Sequence, residues 1–217
     1  MIFIYTQEFY GIENVKMEYY DNKMRWYCIE MQYQKAERCW SCTCEQEIHM
    51  YKYVVNDIIR LNDPNATGYV FDQKYEVWSV CDKSKAIVPK LSEYGISSDK
   101  GKSISRVDKK ASYIYDKPLD IYVGIKTQSV IGLHSLTYIC FQPDGRIYKI
   151  EECAIGKNDV MEEYEVIFQN HIAHIPGRVA EGMWAFQVYL DGHCIIKDYF
   201  VLKRKVLSNM ALLNYKM

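Results

Sequence analysis

Short runs of alternating apolar and polar residues dominate the first half of the chain. Val15, Met17 and Tyr19 alternate with Lys16, Glu18 and Tyr20, the period of a strand with one buried face. Asp21-Asn22-Lys23 supplies turn residues and the run resumes at Met24, so 15–33 is predicted to be a β-hairpin. Trp40, Cys42, Cys44, Ile48 and Met50 fall on even positions and predict one further half-buried strand. The period then changes. Val54, Ile58 and Leu61 are spaced i, i+4, i+7, and Val55 with Ile59 widens the stripe. That spacing predicts one short helix, stopped by the breaker cluster Asn62-Asp63-Pro64-Asn65. Residues 69–80 return to a strand pattern with a turn near Asp72-Gln73-Lys74.

Between 94 and 118 the hydrophobic period disappears, and Gly95, Ser97, Ser98, Gly101, Ser103 and Ser105 mix with Lys100, Lys102, Arg106, Lys109 and Lys110. This composition predicts a linker or long exposed loop over 95–117, separating a β-rich N-terminal domain (1–94) from a second domain (118–217). The basic run is read as a solubilising connector rather than a polyanion site.

Beyond the linker the alternation sharpens. Leu119, Ile121, Val123 and Ile125 define one strand face, and Leu136, Tyr138 and Cys140 another. Pro143-Asp144-Gly145 is a hairpin signal, since Pro presets φ and Gly accepts positive φ. Trp184, Phe186, Val188 and Leu190 share a face before Asp191-Gly192, the two-residue loop most specific for a tight hairpin. About six strands in this space predict a sandwich or barrel. The tail after Lys203 carries a weak helical spacing at Val206, Met210 and Leu213.

The run from Gly182 to Gly192, with its Gly-x-Trp opening and the following Tyr199-Phe200-Val201-Leu202, resembles the closing hairpin of bacterial immunoglobulin-like sandwich modules. The resemblance covers roughly the last 85 residues and is architectural. It implies an antiparallel β-sandwich with Trp184 in its core, in a class of modules that bind or present other parts. The Cys…Trp…Cys order of antibody domains is absent, because Trp184 follows both Cys140 and Cys153.

Charge narrows the function. With 27 basic and 28 acidic residues the formal net charge is -1, unlike a dedicated nucleic-acid binder. No run reaches the roughly 18 apolar residues of a membrane helix, and the first residues lack a basic leader region. A cytoplasmic location is therefore expected, the alternative being a chain whose leader has been removed. The 20 tyrosines suit strands as well as binding surfaces.

Eight cysteines are expected to be free, buried thiols. The one cluster of interest is Cys39, Cys42 and Cys44 with His49 as a fourth candidate ligand, a set chemically suited to zinc. Strand periodicity opposes it, since Cys42 and Cys44 share a face while Cys39 points away. His171 and His174 are read as surface or turn residues, and the pairs Glu151-Glu152 and Glu162-Glu163 as solvated edges, because adjacent strand residues face opposite ways. The pattern thus predicts a non-enzymatic interaction module with a protein partner and no cofactor. The alternative is a metal-binding protein using the cysteine cluster, or a carbohydrate-binding protein using exposed Tyr and Trp.

Overall fold

In the computed structural model, residues 1–6, 11–81, 89–99, 112–115, 118–156, 162–172 and 181–205 are described. Among them every regular element is a strand. In chain order these are β1 (Ile2–Tyr5), β2 (Val15–Asp21), β3 (Trp26–Glu30), β4 (Gln32–Gln34), β5 (Cys39–Thr43), β6 (Ile48–Val55), β7 (Ile59–Leu61), β8 (Gly68–Phe71) and β9 (Val77–Val80). They continue as β10 (Lys90–Ser97), β11 (Ser112–Tyr115), β12 (Leu119–Val130), β13 (His134–Phe141), β14 (Ile147–Ile155), β15 (Glu162–Ile172), β16 (Gly182–Leu190) and β17 (His193–Arg204).

Four sheets result. In the first part, β1-β5-β4 faces the larger β3-β2-β6-β9-β8, to which β7 adds through β6. Phe3, Tyr5, Val15, Met17, Tyr19, Tyr51, Tyr53 and Val55 fill the core between them. In the second part, β10-β12-β15 faces β11-β17-β16-β13-β14. Ile121, Val123 and Ile125 of one sheet there meet Leu136, Tyr138, Trp184, Phe186 and Phe200 of the other. Trp184 is buried, as its alternation predicts, and stacks on Phe200 at 6.0 Å between ring centroids.

Three sequence expectations need correction. The short helix over 54–61 is a hairpin: β6 turns into β7, with Val55 opposite Ile59. Asn56 and Asp57 hold φ of 51° and 59°, and Ile58 N donates to Val55 O. That is a type I′ turn, for which Asn and Asp are suited. The helical stripe was an artefact of a strand buried on both faces: Met50 through Val55 are all buried, so alternation is lost. The single strand read over 40–50 is two, β5 and β6, separated by residues 44–47. The C-terminal sandwich is also not wholly antiparallel, since β11 runs parallel to β17.

Strand β10 pairs with β12, Tyr94 opposite Ile125 and Ile96 opposite Val123. The expected domain limit at 94/95 therefore falls inside a strand of the C-terminal sheets. Most of the expected linker (100–111 and 116–117), the tail from 206 onward and His174 lie outside the described residues.

The two parts meet on the outer face of β13, β14 and β16. Ile139 and Tyr189 project from that face into the N-terminal core, so His134 to Cys140 is buried along its whole length. The Asp191-Gly192 turn docks here. Gly192 has φ +83°, and a Cβ on it would lie 1.8 Å from the Asn62 carbonyl oxygen. Gly145 has φ +82° but open space around it. Gly192→Ala is therefore expected to cost more than about 2 kcal/mol, combining left-handed strain with a backbone clash. Gly145→Ala should cost about 1 kcal/mol from strain alone. Urea midpoints of the two variants measure the difference, and equal losses would mean the turn does not press on Asn62.

Candidate functional site

A connected set of polar groups lies at the junction. Asp63 Oδ2 accepts from the hydroxyls of Tyr51 and Tyr53, each at 2.9 Å. The Asp63 backbone amide donates to Ser79 Oγ at 2.8 Å, and that hydroxyl donates to Asn62 Oδ1 at 3.1 Å. Asn62 Nδ2 reaches across to Ser135 Oγ (2.8 Å) and Glu152 Oε1 (3.3 Å). Lys52 Nζ donates to Glu152 Oε2 at 2.7 Å. One connected path thus runs from the N-terminal core to β13 and β14. Lys52 is only 1% exposed, and an unpaired ammonium at such a depth would be costly. Burial pushes the Glu152 carboxyl above its ordinary value, against the pull of Lys52.

A buried pair sits beside it. His134 Nδ1 lies 2.7 Å from Asp191 Oδ2, and His134 Nε2 lies 2.9 Å from the Ile131 carbonyl. A carbonyl only accepts, so Nε2 carries a proton, and a second proton is shared between Nδ1 and Asp191 Oδ2. Burial lowers the affinity of His134 for its second proton, but the Asp191 hydrogen bond and charge outweigh it and the net direction is upward. Burial also raises Asp191, with His134 opposing. Asp191 Oδ1 accepts from Ser135 N at 2.9 Å. Both ring nitrogens and both carboxylate oxygens are used internally, so this Ser-His-Asp grouping has no nitrogen left to act as a base.

The outer face of the six-stranded sheet has a different character. Trp78 is buried there, with Tyr20 edge-on at 5.2 Å, Lys52 Nζ at 5.6 Å and the Arg60 guanidinium at 5.3 Å from its ring. These are cation–π distances. Arg60 also pairs with Glu18 and, at 3.8 Å, with Glu76. The Trp78 indole N–H and Arg60 Nε have no acceptor among the described residues. Next to this cluster Trp26, opposite Tyr20 in the ladder, is 53% exposed.

The sequence-nominated ligands fall elsewhere. Cys39 and Cys42 lie on β5, Cys44 just beyond it and His49 near the start of β6. Cys39 and Cys44 are buried and His49 is exposed. Cys39 Sγ donates to Glu37 Oε2 and Cys44 Sγ to the Gln46 carbonyl. Burial and the neighbouring Cys44 push the Cys42 thiol up to about 11, the opposite of what a redox nucleophile needs. All eight cysteines are free thiols, and among the described residues no three His, Cys, Asp or Glu side chains gather around a common point. His171 pairs with Asp120 at 2.7 Å on the surface. Glu152, read as a solvated edge, is instead half-buried and paired with the buried Lys52.

Comparison with known proteins adds little. No protein-family model matches the chain, and no curated protein matches it. Among solved structures it is similar to the CARDB domain of a Pyrococcus furiosus protein crystallised with di-metal ions, at 13% identity and TM-score 0.32 over 54% of this chain and 90% of that one. It is also similar to a tetra-tandem repeat from the extending region of a large adhesion protein, at 10% identity and TM-score 0.26 over 88% of this chain and 42% of that one. A third is the alkylpurine DNA glycosylase AlkC of Pseudomonas fluorescens, at 11% identity and TM-score 0.34 over 53% and 30%. These scores are too low to carry fold or function across. Among the described residues no helix is long and apolar enough to cross a membrane.

Two outcomes follow from the junction. Lys52→Met leaves the half-buried Glu152 carboxylate without its ammonium and is expected to cost about 1–3 kcal/mol, whereas Lys52→Met combined with Glu152→Leu should recover much of that loss. Additive losses in urea unfolding would show that the pair is not coupled. For His134, the folded pKa is raised above the unfolded value of about 6.5. Its contribution is fully present below that pH and is lost as pH rises through the folded value. The upward shift of Asp191 acts in the same sense. The stability gap between wild type and His134→Gln should accordingly be larger at about pH 6 than at about pH 9.

Proposed function

We propose that this chain is a non-enzymatic interaction module with a protein partner, built from a β-rich N-terminal unit docked on an immunoglobulin-like sandwich. The immunoglobulin-like reading rests on strand order. β10-β12-β15 against β17-β16-β13-β14 corresponds to strands A-B-E packed on G-F-C with C′ outside C.

The observation that carries the interaction reading is the contrast between its two kinds of polar and aromatic groups. The buried His, Asp and Lys and the half-buried Glu are committed to one another, while Trp26 stands exposed beside Tyr20 on a sheet face backed by Trp78 and Arg60. An exposed Trp beside a half-exposed Tyr, with Arg nearby, is the composition found at the centre of binding surfaces.

A second reading, carbohydrate binding, is favoured by the same feature, since a flat indole on a sheet face offers a stacking surface to a sugar ring. Intrinsic fluorescence separates the two. With soluble cello-, xylo-, malto- and chito-oligosaccharides as probes, the protein-partner reading expects no saturable change in emission. A saturable quench present in wild type and absent in Trp26→Phe would replace it with carbohydrate binding. Trp26→Ala should also leave the urea midpoint within about 0.5 kcal/mol of wild type, since Trp26 adds contact surface and not core. A large loss would make Trp26 a packing residue and remove the basis of both readings.

A further inference from the structure

Sheet edges expose unpaired amides and carbonyls, and each edge of this fold either covers them or leaves them open. The edge strand β15 is covered. The Gln169 carbonyl accepts from Lys149 Nζ at 2.7 Å and the His171 carbonyl from the Tyr148 hydroxyl, so two side chains from β14 occupy the acceptors a further strand would use. The edge strand β3 is different. It pairs with β2 on one side, and among the described residues nothing pairs with the other.

The phase of the β2–β3 ladder identifies the open groups. Met31 N donates to Val15 O at 2.9 Å, and Asp21 N donates to Arg25 O at 3.1 Å. In an antiparallel ladder the bonded pairs recur every second residue. Arg25, Tyr27, Ile29 and Met31 therefore direct their backbone groups to β2, and Trp26, Cys28 and Glu30 direct theirs outward. The side chains of the same three residues are exposed.

We propose that β3 pairs antiparallel with β3 of a second copy of this chain, about a twofold axis at Cys28. Of the twofold registers, only this one engages all three outward-facing residues of both strands, each bonded pair exchanging two hydrogen bonds. It sets Trp26 opposite Glu30 of the second copy and Tyr27 opposite Ile29, and it opposes no like charges. Beyond Glu30 the chain leaves for the other sheet, Met31 turning into the core and β4 joining β5, so the ladder ends where the symmetry ends. The pairing extends the six-stranded sheet across the axis and leaves β15, with its covered carbonyls, outside the contact. This goes beyond the partner-binding reading and does not depend on it.

Sedimentation velocity on the full chain over about 1–500 µM tests the pairing. The expected result is a concentration-dependent dimer. Cys28→Lys, which sets two ammonium groups face to face, should weaken the dimer by at least about tenfold, whereas Cys28→Ser leaves it intact. Should Cys28→Lys shift the urea midpoint, Cys28→Pro serves instead, because it removes only the outward N–H of an edge strand. Paired Cα atoms in such a ladder lie about 5.5 Å apart, within disulfide reach. Added diamide, taking up two electrons and two protons per bond, should thus join two Cys28 thiols, and Cys28→Ser should abolish the product. A monomer at every concentration, or a dimer unmoved by both Cys28→Lys and Cys28→Pro, overturns the proposal.

Discussion

Strand β13 has no solvent face, and much of the structure follows from that constraint. Leu136, Tyr138 and Cys140 serve the C-terminal core while Ile139 serves the N-terminal one. The polar residues between them, His134, Ser135 and Thr137, are buried with them. Every polar atom carried into such a place needs a partner, because an unmet one costs about 1–3 kcal/mol. Asp191 meets His134 and the Ser135 amide, and Asn62 meets the Ser135 hydroxyl. The junction is polar and specific for this reason: its hydrogen bonds fix which groups face each other, while Ile139 and Tyr189 supply the apolar burial.

How much of this was legible depended on whether a strand kept one wet face. Strands β2, β12 and β16 did, and their alternation was plain in Val15-Met17-Tyr19, Ile121-Val123-Ile125 and Trp184-Phe186-Val188. The two hairpin signals Pro143-Asp144-Gly145 and Asp191-Gly192 also held, because their turn chemistry is local. Strand β6 failed. Tyr51, Tyr53 and Val55 fill one core while Met50, Lys52 and Val54 are covered on the other side, so no alternation survived and neighbouring apolar residues imitated a helix. Asn56-Asp57 is the signal that sequence reasoning missed, a pair suited to a type I′ turn inside a run with helical spacing.

The junction was less legible still. Lys52 within Met50–Val55 is a charge in an otherwise apolar run, and Glu152 adjoins a second glutamate; nothing in their 100-residue separation links them. Long-range pairing of this sort is a property of topology, which a single sequence does not display. The cysteines attracted attention through reactivity, yet Cys39 and Cys44 are buried and donate weak hydrogen bonds to Glu37 and Gln46. Tyrosine, abundant enough to suggest a binding surface, is divided between core and surface: among the described residues seven tyrosines are buried, and Tyr33, Tyr75, Tyr148 and Tyr199 are exposed. Tyr51, Tyr53 and Tyr138 pack their rings in the cores and place their hydroxyls on Asp63 and Asn170.

The two tight turns of the C-terminal sandwich look alike in sequence but differ in the freedom they leave for redesign. The turn at Asp144-Gly145 has open space around its glycine, and an epitope, a fluorophore tag or a grafted recognition loop belongs at that glycine rather than at Pro143, which lies close to Gly182. The turn at Asp191-Gly192 is a peg seated against the Asn62 backbone. Lengthening it by even one residue would push the two halves apart, so loop length at that position is fixed by docking rather than by hairpin geometry, and any graft meant to leave the junction intact belongs at the other end.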